Sequence, residues 1–80
     1  MNDLLQTENE KVRVNLKVGT ERIVLRVQRD KKPLYRTAGR KVNKMFNDYK
    51  AKMPSSSNEH IYALTALACA LDNGQEEKTK

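Results

Sequence analysis

The chain has 80 residues, with 16 Lys/Arg against 10 Asp/Glu and a net charge of +6. Apolar residues make up 38%, with no Trp and one Phe, so a single domain with a thin core is the most it can build. A chain this short buries only about 60% of the surface it exposes when unfolded, and with one cysteine it has no internal disulfide to help.

Residues 1–10, MNDLLQTENE, carry a charge of −3 and no sustained period. They read as a flexible N-terminal tail, unlike a secretory or transit leader. From Lys11 the pattern alternates: Val12, Val14, Leu16 and Val18 against Lys11, Arg13, Asn15 and Lys17. A period of two is a strand with one wet face. Gly19-Thr20 interrupts it, and Glu21 to Gln28 resumes it with Ile23, Leu25 and Val27 on one face. Two such runs around a short glycine-containing link predict a hairpin, and its apolar face must lie on something.

Arg29-Asp30-Lys31-Lys32 is a charged link, and Pro33 suits the first turn of a helix. Leu34, Ala38, Val42, Met45, Phe46, Tyr49 and Met53 then recur at three and four, one apolar stripe on a helix of about five turns. Arg36, Arg40 and Lys44 stack on the opposite side. Gly39 sits inside this helix and marks either a close backbone approach or a tolerated surface position. Met53-Pro54 and the serine run end the helix. Ser56 and Glu59 have the S-x-x-E spacing of a capping box for the next one. Ile61 to Leu71, IYALTALACAL, has Thr65 as its only polar residue. A helix apolar on every side needs cover on every side, and the rest of the chain supplies about half. A second copy is expected to supply the remainder, with Ile61, Leu64, Leu67, Ala68 and Leu71 at the dimer interface. Asn73-Gly74 reads as the helix stop and 74–80 as a polar tail.

The predicted order is β-β-α-α, an α+β domain over 11–73 that dimerises through its second helix. The 11-residue apolar run is too short to span a bilayer, so no membrane partner is expected. The lone Cys69 fits a reducing, cytoplasmic setting.

Catalysis needs a constellation, and the chain offers isolated parts. His60 and Cys69, the only residues of their kinds, are nine positions apart on one helix, roughly 14 Å along its axis. No cluster has metal-ligand spacing, and the three glycines make no phosphate loop. No catalytic, metal or cofactor residues are assigned, and the reading is not an enzyme. Cys69 is read as a small core residue and His60 as a surface one.

Binding remains, and the charge distribution points to it. Residues 11–52 carry 14 Lys/Arg against three acids, a cationic middle between acidic ends. Such a body attracts nucleic acid, an anionic membrane or an acidic protein. Arg13, Arg22, Arg26 and Arg36 are the leading contacts for an acidic partner. Stacking on bases has little support from the sequence, because Phe46 and Tyr49 lie on the buried stripe and only Tyr35 and Tyr62 remain.

The succession V-N-L-K-V-G, I-V-L-R-V and L-Y-R-T-A-G-R-K-V-N-K-M-F, closing on S-N-E-H-I-Y-A-L-T-A-L-A-C-A-L, resembles the ZapA family of bacterial cell-division proteins over Val12 to Asp72. The resemblance implies a β-β-α-α head that pairs into a homodimer, binds the tubulin-like GTPase FtsZ and associates its filaments at the division ring. Family members continue into a long coiled coil, whereas here the apolar period ends at Asn73-Gly74, so a head without a stalk is expected. The family's partner-linked Arg after the hairpin glycine is replaced by Thr20, with Arg22 as the nearest cation. Its Glu at the start of the second helix matches Glu59, and its apolar residue five positions later matches Leu64. Capping and core packing are the competing roles for those two. The alternative function is a small basic dimeric DNA-binding protein touching phosphates through its ribbon.

Overall fold

The computed structural model describes residues 10–78, with side chains described for 10–72. The elements run β1 (Lys11–Val18), β2 (Glu21–Gln28), a 3₁₀ turn (Arg29–Lys31), α1 (Lys32–Lys52) and α2 (Asn58–Lys78). This is an α+β fold of order β-β-α-α. The chain divides within α1 into two compact units, one up to Lys41 and one from Val42 onward. The expected tail over 1–10 lies, but for Glu10, outside the described residues.

In the first unit β1 and β2 pair antiparallel, with Val12↔Val27, Val14↔Leu25 and Leu16↔Ile23 on one face. The other face pairs Lys11↔Gln28, Arg13↔Arg26, Asn15↔Val24 and Lys17↔Arg22. Val18↔Glu21 closes the ladder, leaving a two-residue turn at Gly19-Thr20. Gly19 has φ 62°, and no other residue type takes a positive φ among the described residues. Positive φ at the first turn position alone is the pattern of a type II′ turn, whose twist suits the flanking strands. Val14, Val18 and Val27 are buried, while Ile23 and Leu25 on the same face of β2 stay more than a third exposed. The dry face is thus covered along β1 and only at the Val27 end of β2.

The stripe expected on the first helix is corrected at its start. Leu34 is 64% exposed and Ala38 is exposed, whereas Gly39 is buried. A Cβ at Gly39 would stand 3.0 Å from Leu16 Cδ2 and 3.4 Å from its Cγ. The absent side chain lets Leu16 reach the helix backbone, so the buried face there centres on position 39 rather than 38.

In the second unit Phe46 and Ile61 are buried, and Phe46 and Tyr62 meet with ring centroids 4.5 Å apart. Cys69 Sγ donates to Met45 Sδ at 3.6 Å. Thr65, 2% exposed, donates its hydroxyl to Ile61 O at 2.8 Å. A buried hydroxyl bonded to its own helix costs little, so the one polar residue of the run fits the core. Between the helices, Lys50 Nζ donates to Ser56 O at 2.8 Å. The cap differs from the expected capping box by one residue. The His60 amide donates to Ser57 Oγ at 3.1 Å, making Ser57 the N-cap and His60, not Glu59, its third-position partner. The expected stop at Asn73-Gly74 also falls away, since α2 continues to Lys78. A glycine costs a helix only about 1 kcal/mol, which its neighbours can offset.

Candidate partner-binding surface

Strand pairing decides which cations share a surface. On the wet face of the ribbon five of eight positions are cationic: Lys11, Arg13 and Lys17 on β1, Arg22 and Arg26 on β2. All five are exposed, and no acid occupies this face. Arg13 stands directly opposite Arg26, and Lys17 directly opposite Arg22. Like charges in opposed positions destabilise a two-stranded ladder, so their presence is a cost that packing does not explain. Arg36, in the first unit's part of α1, is exposed as well.

Near the open end of the ribbon a groove of about 250 Å³ is lined by Lys11, Arg26, Val27, Gln28, Lys31 and Tyr35. Sequence periodicity did not reveal this cluster. Lys31 lies in a 3₁₀ turn that neither the strand nor the helix period marks. Beside it, Arg29 Nε and Glu10 Oε1 form an exposed ion pair at 3.7 Å.

The residues expected at a dimer interface fall into three groups. Leu67 and Leu71 are more than half exposed, and Leu64 and Ala68 are half-buried. Ile61 is fully buried within the single chain. Its side chain belongs to the core of the second unit, on the same line as Thr65. Glu59 is exposed in the first turn of α2, where a carboxylate favours the helix dipole. Among the described residues, no group of three or more His, Cys, Asp or Glu could hold a metal ion. No described helix is long and apolar enough to cross a membrane.

The described fold is a β-β-α-α arrangement whose ribbon carries one cationic face. Residues 14–80 match the family described as Cell division protein ZapA, and the chain belongs to that family. It is a cell-division protein by that membership, in a family of non-enzymatic adaptors. Comparison with curated proteins and with solved structures finds no match.

Proposed function

We propose that this chain is a non-enzymatic adaptor that binds FtsZ filaments and promotes their association at the division ring. It acts in the cytoplasm as a homodimer, through the exposed side of α2 at Leu67 and Leu71, with Leu64 and Ala68 at the margin. The observation that carries the reading is the wet ribbon face, with two cation pairs set opposite each other and no acid among them. A face that weakens its own ladder is accounted for by an acidic partner that relieves the repulsion on binding. Arg13, Arg22, Arg26 and Arg36 are the leading contacts, and Glu59 is a further one by its match to the family pattern.

Co-sedimentation with FtsZ filaments over a salt series tests the proposal. The chain is expected to pellet with filaments at low salt and to be released as salt rises. Arg13→Glu with Arg22→Glu should abolish pelleting while leaving the far-UV circular dichroism unchanged. Pelleting that persists in the double variant would remove the ribbon face. Duplex DNA run in parallel tests the alternative of a basic DNA-binding protein: retention of the duplex without filament binding would favour it.

A further inference from the structure

We infer that the groove at the open end of the ribbon, with the ribbon's wet face, binds single-stranded nucleic acid. Lys11, Arg26 and Lys31 line one concavity with Tyr35, and no acidic side chain lines it among the described residues. Tyr35 is 40% exposed, so part of its ring meets solvent. Cations that follow a backbone, beside an aromatic ring on which a base can stack, are the two components of single-strand recognition.

The cationic surface does not end at Arg26. Its cross-strand partner Arg13 extends the cationic surface along the ribbon, past the Asn15–Val24 pair to Lys17 and Arg22. Same-face positions along a strand recur about every 6.6 Å, which puts the two cation pairs roughly 13 Å apart. A phosphodiester chain laid on the ribbon then meets one pair, a neutral step, and a second pair. Val24, 51% exposed, gives that neutral step an apolar surface for a sugar or base.

Tyr35 separates this occupant from two others that the cations alone would accept. A duplex keeps its bases stacked on one another, so its phosphates use the cations and leave the ring idle. An acidic polypeptide likewise pairs with the cations and gains nothing from a stacking surface. This binding goes beyond the filament reading, and the two share Arg13, Arg22 and Arg26 but not Tyr35.

The test is fluorescence anisotropy of a labelled oligothymidylate titrated with the full chain at low salt. Saturable binding is expected, with log affinity falling against log salt at a slope of about −0.7 per phosphate neutralised. Tyr35→Leu should weaken binding by about 5- to 150-fold, the range of one base–aromatic stack, and Tyr35→Phe should retain it. Filament co-sedimentation should be unchanged in Tyr35→Leu, which keeps failure of this site distinct from failure of the filament reading. Lys31→Glu, at an exposed position, provides a second variant that must also weaken binding. Absence of oligothymidylate binding at low salt would overturn the assignment. So would an affinity indifferent to Tyr35→Leu in folded protein, equal affinity for duplex, or equal competition by polyglutamate.

Discussion

Leu16 lies against the backbone of α1 at Gly39, where a Cβ would come within 3.0 Å of its Cδ2 atom and 3.4 Å of its Cδ1. Two opposing effects therefore meet in Gly39→Ala. Alanine improves a helix interior by about 1 kcal/mol over glycine, while the added methyl would press on Leu16 at 3.0–3.4 Å. In the wild-type background the gain should be absent. With Leu16→Ala in place the same Gly39→Ala change should recover about 1 kcal/mol, a coupling read from a double-mutant cycle of denaturant melts. Additive effects would show that Leu16 yields freely.

The turn makes a sharper demand on its glycine. Gly19 holds φ at 62°, which costs an L-residue about 1–2 kcal/mol. Gly19→Ala should therefore lower the thermal midpoint by several degrees, at about 4–8 °C per kcal/mol for a chain of this size. Gly19→Asn should lose less, since asparagine is among the few residues that take the positive φ of a primed turn. Equal melting of all three would contradict the turn geometry.

The cap of α2 separates two neighbouring serines. Ser57 Oγ accepts the His60 amide, whereas Ser56 contributes its backbone carbonyl to Lys50. Ser57→Ala should cost about 1 kcal/mol and Ser56→Ala almost nothing, by thermal melting. A larger loss at Ser56 would restore the capping box with Glu59 that the S-x-x-E spacing suggests.

That one-residue shift shows where sequence stops being informative. Alternation alone placed every residue of the hairpin on its correct face, because a period of two admits only two choices and charge separates them. Helix boundaries rest on weaker preferences. Ser55, Ser56 and Ser57 are equivalent as N-caps until the inter-helix turn is closed by Lys50. Gly39 was ambiguous for a related reason, since the contact that buries it comes from a residue 23 positions earlier. The burial of Ile61 within its own chain is not legible in the sequence, because an all-apolar run has no period to distinguish the face that meets its own chain from the face left bare. The groove around Tyr35 depends on how the 3₁₀ turn redirects the chain, which no residue pattern encodes.

Burial within one chain now divides the apolar run of α2. Ile61 is 0% exposed, so Ile61→Ala should lower stability by about 2–5 kcal/mol through the cavity it leaves. Leu67 and Leu71 are 57% and 58% exposed, so each is available to a second copy. Sedimentation equilibrium at micromolar concentration should give a dimer for the wild type. Leu67→Arg should give a monomer or an unfolded chain, because a charge set into an apolar seam is strongly unfavourable. A dimer that withstands both Leu67→Arg and Leu71→Arg would place the self-contact elsewhere.

Arg13 and Arg26 face each other across the ladder, with Cβ atoms about 4.5–5.5 Å apart as opposed positions require. Replacing one by an acid turns repulsion into attraction. Arg26→Glu should therefore stabilise the domain by about 0.2–1 kcal/mol at low salt, seen as a rise in the thermal midpoint. The gain should shrink as salt is added, because the Debye length falls from about 30 Å at 0.01 M to about 8 Å at 0.15 M. Wild-type stability should rise over the same range as its own repulsion is screened. The same substitution removes one of the cations proposed to meet filaments, so co-sedimentation should weaken while the fold improves. A pair that costs stability and serves binding would show opposite changes in the two measurements. Arg26→Glu that lowers the midpoint would show that repulsion does not govern the ribbon. A higher midpoint with undiminished binding would show that the pair serves something other than the filament.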